Sequence, residues 1–209
     1  MKPNEDELKE MVKFAMLENK DVFPPEQRAF IDDIIKSVNV SMNDILVLGA
    51  TLHRLMSAGG GSSTGSQVLI SLGQRGILWI SSNDYLPNSQ SPFSRIDSPT
   101  VLNILDQIHW KLFPALPLNL PDKEIDSFLH AGPEGRAAVI ASGIHLSASL
   151  VTNGAGDAFC GGFIARVISA YDSNESKDSI YSNAIVCGLK AAKTRIKSNS
   201  KTILAEDVP

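Results

Sequence analysis

Cysteine is scarce in this chain. Only Cys160 and Cys187 occur among 209 residues, and both fall in apolar stretches with helical spacing. That argues against a disulfide framework or a thiolate metal site and fits core thiols of a reducing compartment. Long apolar runs are missing too: none approaches the roughly 18 residues needed to span a bilayer. There is no basic excess, since 19 Lys and Arg face 23 Asp and Glu for a net charge of -4, and the basic residues are scattered. Nucleic acid and anionic membranes are therefore not expected partners. The opening Met1-Lys2-Pro3-Asn4-Glu5-Asp6-Glu7 is too acidic and polar for a secretory signal or transit peptide, so the cytoplasm is the expected compartment. His53, His109, His130 and His145 share no metal-binding spacing and read as structural or surface residues. Gly59-Gly60-Gly61-Ser62-Ser63 lacks the Lys-Ser/Thr that completes a P-loop, so residues 58–66 read as a flexible Gly/Ser loop. No internal repeat is present.

What is present suits a folded domain. Hydrophobic residues make up 43% of the chain, enough for one domain of substantial core. Leu8, Met11, Val12, Phe14, Ala15 and Leu17 mark an amphipathic helix. Pro24-Pro25-Glu26 opens a second, with Phe30, Ile31, Ile34 and Ile35, and residues 43–56 read as a third. The period then changes. Residues 67–72 and 76–80 read as two strands around a tight turn bounded by Gly73 and Gly76. Residues 81–99 read as loop, residues 110–118 as an extended segment, and residues 121–130 as a short helix. Strands are expected at residues 137–140 and 145–151. A helix follows to about Tyr171, and a last one covers residues 179–196, with Lys190, Lys193, Arg195 and Lys197 as its solvated face. Thr202-Ile203-Leu204 is expected to pack as a small edge, and Trp79 and Trp110 as core or sheet-face aromatics. Helices around short apolar strands indicate an α/β layered fold. Ligands in such folds bind at the carboxyl ends of strands, where Gly73 and Gly154 both fall.

Three clusters carry candidate chemistry. In Gly154-Ala155-Gly156-Asp157, two glycines bracket an alanine at the start of a helix, where free N–H groups and the helix dipole favour an anion. An acidic residue repels phosphate unless its charge is used, so Asp157 reads either as a base beside a phosphoryl group or as a first-turn acid complementing the dipole. Asn4 and Glu7 lie three apart, which suits either a capping box or a shared polar site on one side of a helix turn. Ser71-Leu72-Gly73-Gln74-Arg75-Gly76 reads either as a plain hairpin turn or as a loop admitting a ligand close to the backbone.

Taken in order, Pro3-Asn4-Glu5-Asp6-Glu7, Ser71-Leu72-Gly73-Gln74-Arg75-Gly76 and Val151-Thr152-Asn153-Gly154-Ala155-Gly156-Asp157-Ala158-Phe159 resemble the ribokinase-like (PfkB) carbohydrate and nucleoside kinases. Pro3-Asn4-Glu5-Asp6-Glu7-Leu8 together with Phe113-Pro114-Ala115-Leu116-Pro117 looks closest to the pseudouridine kinases. The resemblance implies the C-terminal part of a ribokinase-like fold, with helices flanking a partial sheet. It implies that Asp157 takes the proton from an acceptor hydroxyl attacking the γ-phosphate of ATP. Gly154, Ala155 and Gly156 would form the anion hole. Asn4 and Glu7 would organise Mg²⁺ and its waters, Glu7 indirectly. Ser71, Gly73 and Gly76 would line the nucleotide, and the region around Cys187-Gly188 would border the adenine.

Two departures from the family pattern carry consequences. Val151 stands where the pattern has Asp at a position that helps bind an activating monovalent cation, which argues against potassium activation. The chain also begins where a family member of about 300 residues, near the upper single-domain range, would be more than half complete. The acceptor pocket would then come from a complementing N-terminal half or from a dimer partner. For such a fragment the expectation is weak nucleotide binding without turnover. The rival readings are a non-catalytic kinase remnant acting as an interaction module and an unrelated phosphate-binding α/β protein.

Overall fold

The computed structural model describes residues 3–58, 67–82, 98–118, 120–131 and 154–206. The chain divides into two compact units, Met1–Phe113 and Pro114–Pro209. Both helices and strands are present, as expected from the change in period, although the sheet is small and antiparallel.

In the first unit, three helices precede the sheet. Helix α1 (Glu5–Glu18) starts at an Asn4 cap and buries Leu8, Val12 and Met16. Those positions recur every fourth residue and so share one face. Helix α2 (Pro25–Lys36) carries its proline in the first turn, where no N–H is needed, and buries Ile31 and Ile34. Helix α3 (Met42–Ala58) is buried continuously from Ile45 to His53, as a central helix must be. Ala58, expected to begin the Gly/Ser loop, instead closes α3; residues 59–66 lie outside the described residues.

Strand β1 (Gln67–Ser71) and strand β2 (Ile77–Ser81) form the expected hairpin, in register from Gln67 opposite Ser81 to Ser71 opposite Ile77. A single 3₁₀ turn, Gly73–Arg75, joins them. Helix α4 (Pro99–Leu105) begins inside the stretch 81–99 expected as loop. It has Pro99 in its first turn and buries Val101, Ile104 and Leu105. Strand β3 (His109–Phe113) overlaps the start of the expected extended segment, beginning one residue earlier, and pairs antiparallel with β2. The central strand β2 is buried at every position. Trp79 (2% exposed) and Trp110 (9%) are both core residues, and Trp79 Nε1 donates to Gln67 Oε1 at 3.1 Å, which satisfies the buried indole. Helix α3 lies directly on the sheet at Gly49. A Cβ there would stand 2.3 Å from Ile80 Cδ1 and 2.6 Å from Ile70 Cδ1.

In the second unit, a 3₁₀ turn (Asp122–Glu124) leads into helix α5 (Ile125–His130). Helix α6 (Ala155–Ser169) and helix α7 (Lys177–Glu206) pack against each other. Two glycines allow them close contact. A Cβ on Gly162 would meet the Cys187 carbonyl oxygen at 2.8 Å, and one on Gly188 would meet the Phe159 ring at 2.7 Å. Phe159, Phe163 and Tyr181 stack along this seam.

Two expectations for α7 are corrected. The helix does not stop near Ile196 with a separate edge at 202–204; it continues to Glu206, because residues 197–206 contain neither Gly nor Pro to end it. Lys193 is not part of a solvated face either. Its side chain is 3% exposed and pairs with Asp122 Oδ1 at 3.1 Å, while Nζ also donates to the Leu120 carbonyl. The apolar stem is buried, and the ammonium holds the preceding segment onto α7. That ammonium, by hydrogen bond and by charge, lowers the Asp122 carboxyl below its ordinary 3.8. The expected strands at 137–140 and 145–151 lie outside the described residues.

Candidate functional site

The first unit brings two of the three clusters together. Asn4 is the N-cap of α1. Its Oδ1 accepts from the Glu7 N–H at 2.9 Å, and Glu7 Oε2 accepts from the Asn4 N–H at 2.9 Å. This is the reciprocal capping box, so the capping alternative is realised. Among the described residues, Glu7 Oε1 makes no hydrogen bond or ion pair.

The hairpin turn stands beside this helix start. The Ser71 N–H donates to the Pro3 carbonyl at 2.9 Å, and the Ser71 hydroxyl reaches the same oxygen at 3.4 Å. Arg75 pairs with Glu5, and its other terminal nitrogen contacts Met42 Sδ at 3.1 Å. Gly73 (φ 56°) and Gly76 (φ 106°) both have positive φ, so the turn requires glycine at each. The Leu72 N–H donates to the Gly76 carbonyl at 2.8 Å, and the Gly76 N–H to Gly73 at 3.2 Å. Among the described residues, nothing lies within 4 Å of where a Cβ on Gly73 would be. The exposed Gly73 backbone thus offers open space in a turn whose Ser71 and Arg75 contact Pro3 and Glu5.

The third cluster belongs to the second unit. Gly154 is the N-cap of α6, in the left-handed conformation (φ 75°, ψ 1°), and among the described residues no side chain caps this helix end. The N–H groups of Ala155, Gly156 and Asp157 have no intrahelical partner by helix geometry. Asp157 is in the first turn and exposed, as is Gly156; Gly154 and Ala155 are half-buried.

One residue was not assigned to this site from the sequence. The Arg195 guanidinium of α7 lies against Gly154, with Nε 3.2 Å and one terminal nitrogen 3.7 Å from where a Gly154 Cβ would stand. Among the described residues Arg195 has no hydrogen-bond or ion-pair partner. A cation at the positive end of a helix is electrostatically unfavourable unless an anion joins it. No local sequence signal marks this contact, because it depends on how α6 and α7 pack. The Arg195 guanidinium and the α6 helix end are both positive, and the carboxylate of Asp157 stands in the same turn. Such an arrangement can bind an oxyanion and place a base beside it. Gly188, whose neighbourhood the kinase resemblance puts at the adenine, serves here as the α6–α7 packing glycine.

Among the described residues, no group of three or more His, Cys, Asp and Glu could hold a metal ion, and no helix is long and apolar enough to cross a membrane. Val151 lies outside the described residues. No protein-family model matches the chain, and neither a curated protein nor a solved structure shows significant similarity to it.

Proposed function

We propose that the chain carries the nucleotide-binding and catalytic portion of a ribokinase-like kinase. In this reading it moves the γ-phosphoryl group of ATP to a hydroxyl of a nucleoside, pseudouridine-like, or of a sugar. The observation that carries this is the start of α6. An exposed carboxylate, Asp157, shares the first turn with the left-handed Gly154, and the Arg195 guanidinium lies against that glycine.

Asp157 accepts the proton from the attacking hydroxyl. The amides of the Gly154–Gly156 turn and Arg195 bind the phosphoryl oxygens as charge develops on them. Gly73 and Gly76 leave the backbone open to a nucleotide, with Ser71 beside them. Magnesium, when bound with ATP, supplies neutralisation of the β- and γ-phosphate charge. It keeps most of its waters and takes few protein ligands. Glu7 Oε1 suits that role through water, since capping uses Oε2. The layered ribokinase-like architecture, with helices flanking a partial sheet, belongs to the same proposal.

A second reading, a non-catalytic remnant serving as an interaction module, is favoured by the capping box. Asn4 Oδ1 and Glu7 Oε2 both have a purely structural use. Titrating ATP·Mg²⁺ while following the melting temperature tests for nucleotide binding, since one-site binding stabilises by RT ln(1 + [L]/Kd). The kinase reading expects a saturable rise that Arg195→Gln diminishes. No rise at millimolar ATP argues for a scaffold without a nucleotide site.

A further inference from the structure

Another cleft lies wholly within the first unit, at the carboxyl end of α3. It has a volume of about 370 Å³, and its walls include Val22, His53, Arg54, Ser57, Asp106 and Gln107. That volume is within the range of roughly 300–1,000 Å³ typical of small-molecule sites.

Arg54 is fixed in place. One terminal nitrogen donates to the carbonyls of Asn103 (2.9 Å) and Asp106 (2.8 Å). It thereby satisfies carbonyls at the end of α4 that have no helical donor. Nε and the other terminal nitrogen make no hydrogen bond or ion pair among the described residues. Across the turn, the exposed Asp106 carboxylate also has no such partner among the described residues. Two opposite charges therefore line one cleft without pairing with each other.

The turn that carries Asp106 is strained. Asp106 (φ -56°, ψ 132°) and Gln107 (φ 58°) are its central residues, and the Ile108 N–H closes it on the Leu105 carbonyl at 3.0 Å. This is type II geometry, in which glycine is favoured at the third position. A glutamine there holds a backbone conformation that glycine adopts more readily, yet it places an amide in the cleft wall. Strain of this kind concentrates at binding sites.

We infer that this cleft binds a small zwitterion of the amino-acid type. Its carboxylate meets the free donors of Arg54, which is already immobilised and so loses little entropy on binding. Its ammonium meets Asp106, and the Gln107 amide closes the rim. A ligand with one charge leaves the opposite protein charge unmatched.

The test uses the full chain and a series of ω-amino acids: glycine, β-alanine, γ-aminobutyrate and ε-aminocaproate. Acetate and methylammonium serve as single-charge controls. Binding is followed by amide chemical shifts and by calorimetry. At least one zwitterion is expected to bind saturably and to shift the amides of residues 106–108, with at least tenfold weaker binding of both controls. Asp106→Asn, which removes no hydrogen bond among the described residues, should weaken that binding at least tenfold at unchanged melting temperature. Absence of binding by all four zwitterions overturns the inference. So does acetate binding as tightly, or affinity that Asp106→Asn leaves intact.

Discussion

Arg195 and Gly154 touch across the α6–α7 pair. The guanidinium Nε stands 3.2 Å from where a Cβ on Gly154 would project. Gly154 is left-handed and opens a helix with no side-chain cap among the described residues, so two positive features meet at one point. An oxyanion placed there would receive backbone amides from one side and guanidinium donors from the other.

Arg195→Gln should therefore weaken phosphate-ligand binding specifically. A hydrogen bond to a charged group contributes about 1.5–3 kcal/mol, so ATP·Mg²⁺ affinity should fall roughly tenfold to a hundredfold. Because Arg195 is exposed and has no partner among the described residues, the melting temperature without ligand should hardly change. Equal ATP affinity in the two proteins would remove Arg195 from the site.

Adjacent glycines on α6 should respond in opposite directions. A Cβ on Gly162 would stand 2.8 Å from the Cys187 carbonyl oxygen, whereas one on Gly161 meets nothing within 4 Å. Gly162→Ala must push the helices apart, at about 1–3 kcal/mol. Gly161→Ala should stabilise by roughly 0.5–1 kcal/mol through helix propensity. Urea unfolding of both variants checks this, and a loss of stability at Gly161 would contradict the described packing.

The hairpin and the helical faces were legible because local pattern alone decides them. Gly73 and Gly76 bound the turn as expected, and Leu8 and Val12 point inward as their spacing requires, whereas Phe14 and Leu17, expected on the same apolar face, are exposed and Met16 is buried instead. Helix α4 was missed although Ser98-Pro99 followed by Val101, Ile104 and Leu105 is a helix-start signal with its buried face; the preceding polar run masked it. Lys193 and Arg195 could not be assigned locally. One is buried against Leu120 and Asp122 and the other is exposed beside Gly154, and tertiary packing alone separates them. In the same way, Asn4 and Glu7 support both capping and a metal role in the sequence, and their reciprocal bonds use only one of the two Glu7 oxygens.

The Lys193–Asp122 pair predicts an acid-side dependence of stability. The Asp122 carboxyl is lowered below 3.8 by the Lys193 hydrogen bond and charge. Its contribution is fully present above that unfolded value and is lost as pH falls through the lower folded value. Asp122→Asn should thus be less stable than the parent at neutral pH, with the difference shrinking below about pH 4. Urea midpoints at pH 7 and pH 3 measure this. A difference that stays constant with pH would show that the pair contributes nothing through ionisation.

The most direct test is phosphoryl transfer from γ-labelled ATP to a panel of nucleosides and sugars, with pseudouridine included, for the parent chain beside Asp157→Asn, each mixed with an N-terminal half of a ribokinase-like kinase that supplies the acceptor pocket. The account predicts transfer to at least one hydroxyl acceptor. It also predicts a loss of roughly 10²–10⁴-fold on removing the base, with ATP·Mg²⁺ binding retained. No transfer by the parent chain to any acceptor, or a rate that Asp157→Asn leaves unchanged, would contradict it.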